Sequence, residues 1–176
     1  MTATLGEMNT DHSYRAHCLW RGSTGTGYGE YRREHAANAP PAADALTLSA
    51  DEAFLGRPEH LNPEQLIVLA ASSCQLLSFL AVAARARIDV LSYEDDAEAV
   101  MPEDQRPVRL TRIALRPRIV VASGPSEDRV RRLVQLAHEQ CYVANSLHTQ
   151  IDIEPQITIA HQITIAPNRH DLLDAD

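Results

Sequence analysis

Hydrophobic and polar residues alternate over residues 12–21, where Tyr14, Ala16, Cys18 and Trp20 interleave with Arg15, His17, Leu19 and Arg21. Period two predicts a strand with one face in the core. Residues 22–29 hold Gly22, Gly25, Gly27 and Gly29. They lack the Lys-Ser/Thr ending and the helix start of a phosphate cradle, so the stretch reads as a hairpin connection into a second strand over residues 28–35. Residues 36–41 read as an Ala/Pro loop, residues 46–49 as a short strand, and residues 51–61 as a polar connector.

The connector ends at a strong helix start. Asn62 suits the N-cap, Pro63 the first helical position, and Gln65 stands where its side chain can reach back to the cap amide. The helix is expected to run to about residue 87. Residues 66–84 carry no charge over 19 positions, long enough to raise a membrane span. Ser72, Ser73, Gln75 and Ser78 interrupt it and no second such segment follows, so a helix at the centre of a soluble core is the reading. One chain of this size would hardly cover such a helix, which predicts a partner subunit.

Residues 88–101 and 108–122 read as strands joined by a turn at 102–107, with Glu94, Asp95, Asp96, Arg112, Arg116 and Arg118 on solvated faces. A second helix starts near residues 125–128, with Val130, Leu133, Val134, Ala137 and Cys141 on one inward face. Isoleucines alternate over residues 151–165 in a final strand or hairpin. Residues 1–11 and 167–176 are expected to fray.

At 176 residues and 19.4 kDa the chain reads as one domain, residues 1–176, a size at which roughly 70% of the unfolded surface is buried. A net charge of -8 disfavours a phosphate-backbone partner, so no nucleic acid is expected. Residues 1–14 contain no apolar stretch of signal-peptide length, and the expected location is cytoplasmic, where structural disulfides are disfavoured.

Against that background the cysteines stand out. Cys74 lies inside the uncharged helix and Cys141 at the end of the second, 67 residues apart, which excludes a CxxC motif. The two read as a redox pair, and Cys18 is left as a buried small hydrophobe. His138, Glu139 and Cys141 lack the second histidine of HExxH and any paired CxxC, so no metal and no cofactor is expected. For a Cys-His hydrolase, no context selects a base among His35, His60, His138 and His148.

Asn62-Pro63-Glu64-Gln65-Leu66 with Cys74, His138-Glu139-Gln140-Cys141 running into Ala144-Asn145-Ser146, Trp20-Arg21-Gly22 and the segment from Tyr93 to Glu98 together resemble the OsmC/Ohr family of thiol-dependent organic hydroperoxide reductases. The resemblance covers residues 14–159. It implies an α+β fold in which antiparallel sheets wrap two long central helices of an intertwined homodimer. It implies Cys74 as the peroxidatic cysteine, Cys141 as the resolving one and Glu64 as the acid of the site. The family's thiolate-holding arginine would stand where this chain has Leu55, and Arg57 is the nearest replacement, with Arg21 or no cation as the alternatives. Implied partners are an organic hydroperoxide substrate and a dithiol reductant of lipoyl or thioredoxin type. The rival reading is a non-catalytic OsmC-like module that binds an apolar ligand or senses oxidation, for which Leu55 is the support. For Glu64 and Cys74, ten positions apart on one helix and so about 15 Å along its axis, to share a site, either the helix breaks or Glu64 comes from a second subunit.

Overall fold

The computed structural model describes residues 11–160. The chain divides into two units, residues 1–66 and 67–176. In the first, β1 (His17–Leu19), β2 (His35–Asn38) and β3 (Ala45–Leu48) form an antiparallel meander in which Cys18 faces Ala37 and Ala37 faces Leu46.

This sheet departs from the sequence reading in two ways. Residues 28–33 are not a strand. The Arg33 guanidinium lies over the Tyr28 and Tyr31 rings, 4.9 and 4.0 Å from their centroids, and Trp20 packs edge-on against Tyr31 while donating from Nε1 to the Arg32 carbonyl at 2.7 Å. That local cation–aromatic cluster takes the side chains a strand would have alternated. Strand β2 falls instead on the alanines expected to be loop, because pairing with β1 on one edge and β3 on the other outweighs weak intrinsic preference. All three residues of β1 are exposed, Cys18 included, so the expected buried face is not formed among the described residues and Cys18 is not a core residue.

The first unit ends inside the start of α1 (Pro63–Arg85). The capping box forms as the sequence implies. Asn62 Oδ1 accepts from the Gln65 amide at 2.8 Å, and Gln65 Oε1 accepts from the Asn62 amide at 3.0 Å. Asn62 also donates to Asp51 Oδ2 at 3.2 Å, which ties the cap to the preceding connector. The connector holds a single 3-10 turn (Glu52–Phe54) and doubles back at Gly56, where a Cβ would stand 1.7 Å from the Ala50 carbonyl oxygen, so only glycine fits.

In the second unit, α1 leads into β4 (Val90–Asp95) and β5 (Glu98–Val100), then β6 (Arg112–Leu115) and β7 (Pro117–Val121), α2 (Glu127–Glu139), α3 (Tyr142–Ser146), β8 (Gln150–Ile153) and β9 (Gln156–Ile159). Each long strand expected over 88–101 and 108–122 is two strands. The break lies where Asp95 turns inward: its Oδ1 accepts from the Arg116 amide at 2.7 Å and its Oδ2 from the Ser72 hydroxyl of α1 at 2.5 Å. The result is two three-stranded sheets, ordered β4-β7-β9 and β5-β6-β8. They are mixed rather than antiparallel, since β8 runs parallel to β6 and β9 to β7. A helical crossover separates β7 from β8 and permits that direction.

Glu94, Asp96, Arg112, Arg116 and Arg118 do lie on solvated faces, joined in exposed ion pairs such as Arg118 with Asp96 at 2.6 Å. Residues 161–165 of the expected last strand and the termini expected to fray lie outside the described residues, apart from Asp11. Phe79, Val82, Ala83, Ile119, Val121, Val130, Val134 and Ala137 make the main core.

Only part of α1 is covered by the chain. Its window of mean hydropathy 2.1 is 28% buried, and by length and composition alone it could cross a membrane. Leu77 and Leu69 are 63% and 58% exposed, with Ile67 and Leu80 exposed beside them. An uncovered apolar face of this length is not a stable surface in water.

Candidate active site

The second unit brings Cys74 and Cys141 together. Cys74 stands midway along α1, half-buried, and Ser78 one turn on offers its hydroxyl to the sulfur. Helix α2, capped by Ser126, ends at Glu139 rather than running through Cys141. The chain then turns a corner, and Cys141 is the N-cap of α3, with its side chain making no cap hydrogen bond. Asn145 holds the corner, its Nδ2 donating to the carbonyls of Glu139 and Cys141 at 3.0 Å each. Cys141 is thereby inward, as the sequence pattern implies, with 1% of its surface exposed. Its sulfur is free to face Cys74.

The two thiols sit in opposite environments. Burial pushes the Cys74 thiol up, but the Cys141 side chain, the Val143 amide, the Ser78 hydroxyl and the Tyr142 amide together outweigh it and hold Cys74 below the ordinary thiol value. For Cys141, burial comes first and the neighbouring Cys74 adds to it, so its thiol is pushed up to about 11. A thiolate is therefore favoured at Cys74 and disfavoured at Cys141. The source of that preference could not be read along the chain. Cys74 lies about three turns inside its own helix, beyond the reach of that helix's N-terminus, and the amides that act on its sulfur are the opening ones of α3.

Among the described residues three polar side-chain atoms are buried without a hydrogen-bond partner: Gln75 Oε1, the Tyr93 hydroxyl and His138 Nδ1. Gln75 is fully buried and donates from Nε2 to the Val134 carbonyl of α2 at 3.2 Å. Phe79 packs on Tyr93 in the core, with ring centroids 5.9 Å apart.

The other candidate residues belong to the first unit. Arg57 is 57% exposed and pairs with Glu34 at 2.6 Å and Glu59 at 3.6 Å. Leu55 adopts a left-handed backbone (φ 63°) that closes the 3-10 turn. Glu64 lines a pocket of about 220 Å³ with Arg33, His35, Asp51 and Phe54. Sequence reasoning missed Arg33, although its place among Tyr28 and Tyr31 was a usable signal. Its guanidinium donates to the carbonyls of Tyr31 and Tyr28 and no described carboxylate pairs with it. Helix α1 is unbroken between Glu64 and Cys74, so those two residues of one chain stay about 15 Å apart along the axis. Among the described residues no group of three or more His, Cys, Asp and Glu side chains is placed to hold a metal ion.

Residues 56–156 match the family model described as OsmC-like protein. Among solved structures, an OsmC-like protein of unknown function from Vibrio cholerae is 28% identical, with a TM-score of 0.76 over 83% of this chain and 100% of that one. An organic hydroperoxide resistance protein OsmC from Legionella pneumophila is 20% identical, with a TM-score of 0.63 over 84% of this chain and 97% of that one. An organic hydroperoxide resistance protein from Elizabethkingia anophelis is 17% identical, with a TM-score of 0.64 over 87% of this chain and 100% of that one. No functionally curated protein matches the sequence.

Proposed function

The chain belongs to the OsmC-like protein family, and on that premise we propose that it is a thiol-dependent peroxidase that reduces organic hydroperoxides to alcohols. The observation that carries this reading is the pair of facing thiols with opposed titration, Cys74 held low and Cys141 high. The Cys74 thiolate attacks the terminal peroxide oxygen. The O–O bond breaks, the alkoxide takes a proton and leaves as alcohol, and Cys74 becomes a sulfenic acid. Cys141 then gives up its thiol proton and attacks the Cys74 sulfur; the S–O bond breaks, water departs and a Cys74–Cys141 disulfide remains. A dithiol of lipoyl or thioredoxin type reduces that disulfide and returns both thiols, in a reducing, cytoplasmic setting.

The working site is completed by a second copy. The α1 face with Ile67, Leu77 and Leu80 needs a cover, and an antiparallel α1 of a partner subunit would bring that subunit's first turn, with Glu64, towards Cys74. This gives the intertwined homodimer with two sites. Two cations compete for the role of holding the thiolate. Arg33 shares the Glu64 pocket and is unengaged by carboxylates there, whereas Arg57 is already paired with Glu34 and Glu59. Of Arg33→Ala and Arg57→Ala, the one that slows Cys74 alkylation near neutral pH but not well above the thiol's pKa identifies the cation.

Titration with tert-butyl and fatty acid hydroperoxides, with thiol counting, tests the central reading. The peroxidase loses Cys74 and Cys141 together and rapidly at one equivalent; a binding module keeps both. For the shared site, inactive Glu64→Ala and Cys74→Ser chains are mixed. Recovered activity in confirmed heterodimers supports complementation, and its absence removes Glu64 from the partner's site.

A further inference from the structure

Strands β8 and β9 are two versions of one six-residue module, and the sequence holds a third. Gln150-Ile151-Asp152-Ile153, Gln156-Ile157-Thr158-Ile159 and Gln162-Ile163-Thr164-Ile165 recur at a spacing of six, and residues 156–160 and 162–166 are identical. The strands they meet repeat at the same spacing, β6 opening on Arg112-Ile113 and β7 carrying Arg118-Ile119. The first module lies parallel on β6 with Gln150 opposite Arg112, and the second lies parallel on β7 with Gln156 opposite Arg118. The third lies outside the described residues.

A slip of one residue would turn the core side chains of a strand outward, which is what normally fixes register. A slip of six turns none of them. It would set Gln156 opposite Arg112 and Gln162 opposite Arg118, and each isoleucine packed on the core, at 151, 153, 157 and 159, would be replaced by another isoleucine. The amides of Gln150, Glu154 and Ala160 donate to the Thr111, Leu115 and Val121 carbonyls, and those of Gln156, Ala160 and Ala166 would take their places. The bend at Glu154-Pro155 uses no left-handed residue, so Ala160-His161 can adopt it. Side chains alone separate the two registers. Asp152 accepts from Arg112 Nε at 2.5 Å and from Gln150 Nε2 at 2.9 Å, where the slipped chain would carry Thr158. Thr149 donates to the Leu110 carbonyl at 2.9 Å, where the slipped chain would carry Pro155.

We propose that β8 and β9 exchange between two registers, the second module replacing the first on β6 while the third replaces the second on β7, with Asp152 holding the described register. The exchange acts on the corner that carries Cys141. In the described register only residues 147–149 join α3 to the strand on β6. After the slip residues 147–155 would join them. Val143 and Leu147 pack on the cluster of Ala71, Ile113 and Leu115, and a short connection keeps them there. The added slack loosens α3 and with it Cys141, its N-cap, so the register governs access to a buried thiol. The exchange itself involves no redox chemistry and stands apart from the peroxidase reading, which it would regulate.

Asp152→Thr makes the first module match the others and removes the side chain that selects the register. Amide hydrogen exchange on the full chain, read by mass spectrometry, should then run about fivefold faster or more over residues 151–153, the size of a lost exposed ion pair and its neighbouring hydrogen bond. In a Cys18→Ser, Cys74→Ser background, alkylation of Cys141 should quicken by a similar factor. Simple fraying of β8 would also speed exchange, so a second substitution decides. The Ala160 amide points at β7, hence by alternation so does that of Thr158, whose place Thr164 would take in the slipped register. Thr164→Pro deletes that donor and disables the third module, and added to Asp152→Thr it should return both rates to those of the parent. A double variant that exchanges as fast as Asp152→Thr alone overturns the proposal, as does Asp152→Thr with parental rates. If Asp152→Thr melts well below the parent, Asp152→Asn, which keeps the size and loses the charge, carries the same comparison. No peroxide enters these measurements, so a failure of the peroxidase reading leaves them readable.

Discussion

The two oxidative steps should separate on a pH axis. Cys141 titrates near 11 in the reduced chain, because burial first and Cys74 second oppose its ionisation. Four pH units below that value, at neutrality, about one chain in ~10⁴ carries the Cys141 thiolate. If only the thiolate attacks, the resolving rate climbs tenfold per pH unit, or about 100-fold from pH 7 to pH 9. Oxidation of Cys74 removes its negative charge and lowers the plateau. The largest cause, burial, remains, so the climb persists through that window. The first step behaves in the opposite way. Cys74 lies below the ordinary thiol value of 9.0, so its reaction with peroxide levels off first as pH rises. Rapid mixing with one equivalent of organic hydroperoxide, acid quenching and mass spectrometry with dimedone would count sulfenic acid against disulfide. Sulfenic acid should accumulate at pH 7 and vanish into disulfide at pH 9. A resolving rate equal at the two pH values would refute the assignment of Cys141 as a buried, protonated attacker.

Cys74→Ser should abolish peroxide consumption, while Cys141→Ser should react once and leave a sulfenic acid that dimedone traps; normal turnover by Cys74→Ser would sink the division of labour. Asn62→Ala deletes the bonds to the Gln65 amide and to Asp51 and should cost about 1–2 kcal/mol in denaturant unfolding. Leu77→Glu places a charge on the uncovered face of α1 and should shift sedimentation towards monomer; an unchanged dimer would move the interface elsewhere.

Where local rules and tertiary structure agree, the sequence was readable. The start of α1 needs only Asn62, Pro63 and Gln65, all within one turn, and the capping box is there. The inward face of α2 followed from the 3.6-residue period, with Val130, Val134 and Ala137 buried. Elsewhere a distant partner decided the outcome. Residues 28–33 alternate like a strand but serve an aromatic cluster around Arg33, and the alanines of β2 pair only because β1 and β3 flank them. Asp95 looked like one of three surface acids, yet the break between sheets turns it towards Ser72. No periodicity carries such information, since it depends on which strand meets which.

The site repeats this division. Motif spacing singled out both cysteines, but it left open how a thiol in the middle of an apolar helix could ionise. The corner after α2 answers within one chain. By ending α2 at Glu139, the fold makes Cys141 an N-cap instead of one more helical position, and the same corner aims the Tyr142 and Val143 amides at Cys74. In the proposed peroxidase, one structural feature would set attacker and resolver: the turn that delivers N–H groups to Cys74 also buries Cys141 and leaves its sulfur without a cap bond. A cation from another segment would then add to a preference already present, so Leu55 would not by itself exclude the proposed chemistry. An order of effects is expected. Asn145→Ala, which frees the corner from the Glu139 and Cys141 carbonyls, should raise the Cys74 pKa and slow disulfide closure together, whereas loss of the cation should raise the Cys74 pKa and leave closure from a preformed mixed disulfide unchanged. Alkylation and mixed-disulfide kinetics on the two variants separate the cases, and a corner variant that altered only one of the two steps would show that the two cysteines are positioned independently.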